Sequence, residues 1–165
     1  MTRIGLISDT HGYLDRSVSE HFEQCDEIWH AGDFGNKSIA DEIITTAGKK
    51  NILRGVYGNI DGQDIKTVYP EKLFFTCEQV NVFIQHIGGY PGRYAPGVKD
   101  NIIKNNINLF ISGHSHILKI MFDDTLNCLH MNPGAAGKQG WHKVKTLIRF
   151  VIDGREIKEC EIIEL

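Results

Sequence analysis

The sequence lacks several features that would place it in a common class of protein. Its four cysteines include no Cys-x-x-Cys pair, which argues against a zinc cage or a redox motif. No apolar run approaches the ~20 residues that a membrane-spanning helix needs, and the residues after Met1 do not have the layout of a signal peptide. The formal net charge of −3 gives no basic excess for broad nucleic-acid binding. We therefore expect a reduced, cytoplasmic protein without membrane or general nucleic-acid partners.

The composition and the order of predicted elements indicate one globular domain over residues 1–165. Shares of 41% hydrophobic and 24% charged residues are ordinary for a folded domain. The first half alternates strands and helices, which predicts parallel strands with right-handed crossovers. The predicted strands are Ile4–Ser8, Glu27–His30 and Ile52–Val56, and the predicted helices are Asp15–Gln24 and Asn36–Ala47, the second closed by Gly48.

The second half of the chain is richer in strands, which are predicted to form three hairpins. Asp153-Gly154 is a strong signal for a two-residue turn in the last of them. The hairpins are Lys72–Cys77 with Val80–His86, Lys119–Asp123 with Leu126–Met131, and Val144–Ile152 with Glu156–Ile163, and one helix is expected over Val98–Asn106. This mixture predicts an α/β fold in which two β-sheets pack face to face and helices flank them.

Five short segments carry residues that can bind divalent metal. They are Asp9-Thr10-His11, Gly32-Asp33, Gly58-Asn59-Ile60-Asp61, His86 and Gly113-His114-Ser115-His116. Three of them directly follow apolar runs that are typical of strands, and residues beyond the carboxyl ends of strands gather along one edge of an α/β sheet. Two carboxylates, four imidazoles and an amide at such an edge indicate two metal ions rather than core packing.

The residue types suggest how these ligands could be shared. Asp9 and His11 can reach one ion from a single turn, and Asp33 is the natural bridge because a carboxylate can bind two metals. His114 and His116 could serve one ion or two. Nitrogen and oxygen ligands without thiolate suit manganese, iron, zinc or nickel. Each fragment alone is weak evidence, since Gly and Asn also form plain turns; the prediction depends on the whole set.

In this order the segments resemble the calcineurin-like metallophosphoesterase superfamily. The pattern D-x-H, G-D, G-N-x-D, H and G-H-x-H spans Ile4 to Gly134, and Asn132-Pro133-Gly134 resembles the small bacterial and archaeal phosphodiesterase branch. The resemblance implies a four-layer β-sandwich flanked by helices and two divalent metal ions, manganese first among the candidates. One ion would have the ligands Asp9, His11, Asp33 and His116, and the other Asp33, Asn59, His86 and His114.

The resemblance also implies hydrolysis of phosphodiesters or activated phosphoesters. The two ions would bind substrate oxygens and lower the pKa of a bridging water, whose hydroxide would attack phosphorus. Many family phosphatases have a histidine after the Asn of the G-N-H motif, whereas this chain has Ile60, so poor leaving groups should depart slowly. Asn59 and Asp61 are the predicted catalytic residues. Asp61 either orients Asn59 or the attacking water, or ends a turn with Gly62.

Two further expectations concern substrate binding and an alternative function. Arg93 either binds a phosphate through its planar guanidinium group or is a solvated loop residue. The runner-up function is a protein-binding scaffold similar to a subunit of the retromer coat, with a vestigial metal site. That scaffold has Asn where this chain has His11, which favours an enzyme here. We expect a small phosphoester substrate, and assembly into a homo-oligomer stays open.

Overall fold

The structure, a computed structural model, describes residues 1–46, 50 and 52–165. The predicted helix end at Ala47 and Gly48 lies outside these described residues. In chain order the elements are β1 (Thr2–Ile7), α1 (Val18–Phe22), β2 (Glu27–His30), α2 (Lys37–Thr46), β3 (Ile52–Gly55), α3 (Gln63–Lys66), β4 (Lys72–Cys77), β5 (Val80–Gln85), β6 (Gly89–Tyr90), β7 (Arg93–Tyr94), α4 (Val98–Lys104), β8 (Leu109–Ile111), β9 (Leu118–Asp123), β10 (Cys128–Pro133), β11 (Thr146–Asp153) and β12 (Glu156–Glu164).

The strands form two five-stranded mixed sheets and one small ribbon. The first sheet has the order β12-β11-β1-β2-β3, the second β4-β5-β8-β10-β9, and β6 pairs with β7. Strands β1, β2 and β3 run parallel, as the alternation of strands and helices predicts. In the second sheet β8 runs parallel to both β5 and β10. The strands that precede two of the polar segments, β1 and β8, therefore lie in the middle of their sheets.

Alternate residues of each central strand face opposite layers of the molecule. In β1, Ile4 and Leu6 are buried in the core between the two sheets, whereas Ile7 lies in the cluster formed with α1 and α2. In β8, Leu109 belongs to the core between the sheets, and Phe110 to the outer cluster formed with α4. This two-residue period follows from the pleat of a strand, and it requires apolar residues at successive positions because both faces are covered.

The helices cover the outer faces of the two sheets. Val18 and Phe22 of α1 are buried in the cluster that covers the first sheet, and Val98 and Ile102 of α4 are buried in the cluster that covers the second. Gly5 allows α1 to approach closely, because a Cβ there would lie 2.6 Å from the Phe22 ring. The order of layers is helix, sheet, sheet, helix, which confirms the predicted fold class.

Several element boundaries differ from the sequence prediction. Helix α1 begins at Val18 instead of Asp15, because the Asp15 carboxylate accepts hydrogen bonds from both the backbone N–H and the hydroxyl of Ser17 and forms a turn. Strand β10 begins at Cys128, since Asp123 accepts the N–H groups of two turn residues after it. Helix α3 and the β6/β7 ribbon were not predicted. No helix among the described residues is long and apolar enough to cross a membrane.

Candidate metal centre

The structure brings all seven predicted ligands to one edge of the sandwich, where the strands end. Asp9, Asp33 and His86 follow β1, β2 and β5, respectively. The two histidines of the His-x-His segment follow β8, and Asn59 follows β3. Six of these residues form two triplets, and within each triplet the ligand atoms all lie within 4.8 Å of one another. The first triplet is Asp9, His11 and His116, and the second is Asp33, His86 and His114.

The backbone at these positions is strained. Nine described non-glycine residues have positive φ, and five of them are candidate ligands: Asp9, His11, Asp33, His114 and His116. Such conformations cost about 1–3 kcal/mol each and persist where the surroundings fix them. Here the Asp9 N–H donates to the Gly32 carbonyl at 2.9 Å, and the His11 N–H donates to the Asp33 carbonyl at 3.0 Å. The strain thus coincides with the polar cluster, as it often does at functional sites.

The Asp9 triplet is organised around one free carboxylate oxygen. Asp9 Oδ2 accepts hydrogen bonds from the Ser8 hydroxyl at 2.6 Å and from the His114 backbone N–H at 3.1 Å. Asp9 Oδ1 instead lies 3.1 Å from His116 Nε2 and 3.8 Å from His11 Nε2. One oxygen is therefore committed to fixing the side chain, and the other faces three imidazole nitrogens, the third being His86 Nε2 at 3.9 Å.

The Asp33 triplet is more fully hydrogen-bonded. Asp33 Oδ1 accepts the Ile60 backbone N–H at 3.0 Å, and Asp33 Oδ2 lies 3.2 Å from His86 Nε2. The Asn59 side-chain oxygen lies 3.1 Å from His86 Nε2 and 2.9 Å from His114 Nδ1. Asp33 Oδ2 is also 3.4 Å from Nε2 of His11, so this carboxylate borders both triplets. That position is the one a bridging ligand needs.

The unpaired atoms of the site test whether a metal fits. Asp9 Oδ1 and His11 Nε2 are buried, and neither has a hydrogen-bond partner among the described residues. Leaving a polar atom buried and unsatisfied costs about 1–3 kcal/mol. A divalent cation would bind the lone pairs of both atoms, and the nitrogen and oxygen ligands suit a borderline or hard metal. The ligand set therefore fits bound divalent metal.

The charges of the site depend on one another. Burial would raise the pKa of the Asp9 carboxyl, but the nearby imidazoles of His11, His116 and His86 hold that pKa below its ordinary value. The nearby Asp9 carboxylate raises the pKa of His11. Burial opposes the charged form of His86, yet the hydrogen bond to Asp33 raises its pKa overall. Metal binding requires neutral imidazoles, so a metal competes with protons for these nitrogens.

Two glycines allow the ligand loops to approach the carboxylates. A Cβ on Gly58 would overlap the Asp33 carboxylate, and a Cβ on Gly113 would lie 2.8 Å from Asp9 Oδ2. Glycine at the position before Asn59 and before His114 is therefore required by close packing at the site, which explains the Gly-Asn and Gly-His pairs in the sequence.

Comparisons with known proteins identify the family. The sequence model of the calcineurin-like phosphoesterase superfamily domain matches residues 2–155. The chain belongs to this superfamily. A probable metallophosphoesterase of Methanocaldococcus jannaschii is 30% identical to this phosphoesterase-family chain over 139 residues, which cover 80% of the chain and 67% of that relative.

Solved structures share the fold of this superfamily member. An archaeal phosphodiesterase superposes with a TM-score of 0.70 at 22% identity, covering 99% of each chain. Vps29 of Entamoeba histolytica in complex with zinc superposes with a TM-score of 0.74 at 15% identity, covering 98% of each chain. At these identities the likeness establishes the fold alone. The neighbours include a phosphodiesterase and a retromer-type protein, so the fold does not choose between the two functions considered.

Asp61 is buried beside the candidate metal ligands and accepts hydrogen bonds from backbone groups of two loops. Its carboxylate accepts the Gly58 N–H at 2.8 Å, the Gly35 N–H at 2.8 Å and the Phe34 N–H at 3.2 Å. These bonds join the loop that carries Asp33 to the loop that carries Asn59. The geometry shows a residue that positions two ligands, and direct participation of Asp61 in catalysis stays a prediction.

Arg93 lines a different cavity from Asn59 and His86. It is in β7 and lines a cavity together with Lys99 and Asp123, and none of the described residues lining that cavity is a predicted metal ligand. A different cavity, of about 190 Å³, is lined by Asn59 and His86. Contact between Arg93 and a substrate therefore stays a prediction that these two cavities do not support.

Sequence reasoning missed three residues that hold the ligands in place. The Ser8 hydroxyl fixes Asp9, the Ala31 carbonyl lies 2.7 Å from His86 Nδ1, and His142 packs against His116 with ring centroids 5.2 Å apart. Ser8 could have been suspected because it directly precedes Asp9. Ala31 acts through its backbone and His142 is distant in sequence, so no local pattern indicates either of them.

Proposed function

We propose that this protein is a metal-dependent phosphodiesterase that hydrolyses diesters or activated phosphoesters. The observation that carries the proposal is the pair of ligand triplets bordered by one carboxylate, Asp33. Divalent ions bound there would supply Lewis acidity toward phosphoryl oxygens and a water molecule of lowered pKa. Asp9 and Asp33 would supply the negative charge that holds two cations close together.

The position after Asn59 supports diesters over ordinary monoesters. Ile60 has a side chain that is 46% exposed and a backbone N–H that is committed to Asp33 Oδ1. An apolar side chain cannot protonate a leaving alkoxide. Aryl leaving groups, which depart without a proton, are therefore the substrates that this site suits best. The Asn59 amide, beside His86 and His114, would contribute an oxygen ligand.

We assign manganese as the first metal to test, with zinc, iron and nickel as competitors. The triplets offer imidazole nitrogen and carboxylate oxygen but no thiolate. The proposal places the protein in a reducing compartment, the cytoplasm. In support, Cys25, Cys77 and Cys128 are free and buried, as expected for small apolar core residues.

The scaffold alternative has less support. It predicts a degenerate metal site, whereas His11 completes the Asp9 triplet and lies 3.4 Å from Asp33 Oδ2. A scaffold would keep the fold and could keep metal affinity, but it would not turn over phosphoesters. Measured turnover therefore separates the two functions.

The test is hydrolysis of a bis-aryl phosphate by metal-depleted and metal-loaded protein. Chelation should abolish hydrolysis, and manganese should restore it. An alkyl phosphomonoester under the same conditions should react much more slowly. Undiminished hydrolysis after metal depletion would contradict the mechanism. Stoichiometric metal binding without turnover of any diester in a broad screen would instead favour the scaffold.

A further inference from the structure

We propose that His142 is a positioning residue for the Asp9 triplet. When a metal binds His116 Nε2, His142 Nδ1 would accept the proton on His116 Nδ1 and would thereby hold the tautomer that leaves Nε2 free for the metal. The inference rests on the metal-binding part of the proposed function and is independent of the substrate. His142 has no partner at ligand spacing in the sequence, so its role emerges only from the fold.

The tautomer of His142 follows from its backbone contact. His142 Nε2 lies 2.8 Å from the carbonyl oxygen of Gly137. A carbonyl oxygen only accepts hydrogen bonds, so Nε2 carries the proton, and Nδ1 of the neutral ring has a lone pair to offer. That Nδ1 is buried and has no hydrogen-bond partner among the described residues. It is an acceptor held in place without a donor.

The polar side chain beside this acceptor is that of His116, which contacts the His142 ring without a hydrogen bond in the structure. The two rings meet edge to face with centroids 5.2 Å apart. Gly140 separates them: the point where its Cβ would stand is 3.0 Å from His142 Nδ1 and overlaps His116 Nδ1. His116 Nε2 lies 3.1 Å from Asp9 Oδ1 on the side where a metal would bind, and a neutral imidazole that binds metal through Nε2 carries its proton on Nδ1. The two Nδ1 atoms thus border the same small space.

The other triplet already contains an equivalent arrangement. His86 Nδ1 lies 2.7 Å from the Ala31 carbonyl, which leaves His86 Nε2 directed at Asp33. Histidines that bind metal almost always donate their second ring N–H to such an acceptor, which fixes the tautomer and raises the basicity of the ligand. His142 supplies for His116 what a backbone carbonyl supplies for His86.

The loop that carries His142 is itself fixed to the site. The Gly137 N–H donates to the Asp9 carbonyl at 3.0 Å, and the Gly137 carbonyl holds His142. The contacts run from the Asp9 backbone through Gly137, His142 and His116 and return to the Asp9 carboxylate. A closed set of contacts of this kind can hold an imidazole orientation that one long loop alone would not.

The principal test measures metal affinity, without substrate, in wild-type protein and in the variants His142→Ala and His142→Gln. Alanine should weaken one of two binding events by about 10–100-fold and leave the other unchanged. Glutamine should recover part of the loss because its amide oxygen can accept the His116 proton. His21→Ala, which removes an imidazole in α1, serves as the control and should bind both ions like wild type.

Histidine NMR of the zinc-loaded wild-type protein provides a direct readout that does not depend on any variant. His116 should show the tautomer protonated at Nδ1, with a proton protected from exchange, and that protection should be lost in His142→Ala. A His116 that binds zinc through Nδ1, or protection that survives the substitution, would overturn the inference. Should the alanine variant fail to fold, the wild-type spectrum still decides.

A pair of glycine variants tests the space between the rings. Gly140 has φ of +125° and Gly92 has φ of +88°, but a Cβ on Gly92 would meet nothing within 4 Å. Gly140→Ala should weaken the same binding event as His142→Ala, whereas Gly92→Ala controls for backbone strain and should not. Equal metal affinities in wild type and all variants would refute the role of His142 but leave the proposed function intact. A wild-type protein that binds no metal would refute the proposed function as well.

Discussion

The two ligand triplets differ in how far the protein satisfies them by itself. In the Asp33 triplet, Asn59 contacts both histidines and Asp33 binds a backbone N–H. In the Asp9 triplet, Asp9 Oδ1 and His11 Nε2 are buried without partners. Similar ligands on adjacent strand ends thus differ in how many of their buried polar atoms have partners in the absence of metal. A cation relieves more unsatisfied polarity at the Asp9 triplet, so we expect the first equivalent of metal to bind there.

The largest effect should come from the residue that borders both triplets. Asp33→Asn removes the charge that holds two cations close together. We expect lower metal occupancy at both triplets. The loss of diester hydrolysis should exceed the ~10–100-fold that is typical when a residue that only supports a metal ligand is replaced. Metal analysis and turnover, measured on the same sample, check this. Asp124→Asn, at an exposed turn position, is the matched control; a variant at position 33 with two tight metals and full turnover would rule out the bridge.

A smaller effect should be confined to the Asp33 side of the site. Asp61→Asn weakens the acceptor of three backbone N–H groups and loosens the loop that carries Asn59. Activity should fall by about 10–100-fold, with the first metal equivalent still bound normally. Isothermal titration with manganese separates the two binding events. Loss of the first event instead of the second would contradict the difference between the triplets.

A milder change should alter selectivity. Ile60→His places an imidazole beside Asn59, where it could protonate a departing oxygen. A well-placed general acid contributes about 10²–10⁴-fold, and an engineered one should supply only a small part of that. We expect a higher ratio of monoester to diester rates at unchanged metal content, with Ile60→Gln as the non-acidic control. If the wild-type protein already prefers alkyl monoesters, Ile60 does not determine the choice.

The smallest effect on activity should come from a histidine remote from both triplets. Burial lowers the pKa of His130 to about 4 from an ordinary 6.5. Because the folded pKa lies below the unfolded one, the stabilising contribution is complete above pH 6.5 and is lost as the pH falls toward 4. The free energy of unfolding should fall between pH 7.5 and 4.5 in both proteins, but by about 2–3 kcal/mol less in His130→Phe than in wild type. Turnover at pH 7.5 should be unchanged. Equal losses in denaturant melts of both proteins would contradict this.

The sequence predicts the fold and the ligands better than the contacts that hold them. Apolar runs such as Leu109–Ile111 are buried on both faces, so local pattern alone indicates a central strand. Polar residues just beyond such strands meet at one edge for topological reasons, which is why seven ligands could be proposed together. Asp15 and Asp123 shifted element boundaries because their carboxylates accept hydrogen bonds from the backbone N–H groups of turn residues, and such bonds compete with regular structure in ways that periodicity does not show.

Contacts between distant segments set the limit of the sequence reading. His142 reaches His116 only because the loop after β10 folds back onto Asp9, and its spacing from other histidines carries no information. Arg93 lines a different cavity from Asn59 and His86 for a related reason: it lies in the β6/β7 ribbon, and its cavity is shared with Lys99 of α4. Loop placement depends on tertiary packing, whereas strand ends are placed by topology.

Anomalous diffraction from manganese-loaded crystals would locate the ions themselves. We expect two separate peaks at the edge where the strands end, one contacting Asp9, His11 and His116 and the other contacting His86, His114 and Asn59, with Asp33 touching both. At one equivalent of metal, only the peak beside Asp9 should be present. A single ion at full loading, or two ions that do not share Asp33, would contradict the account.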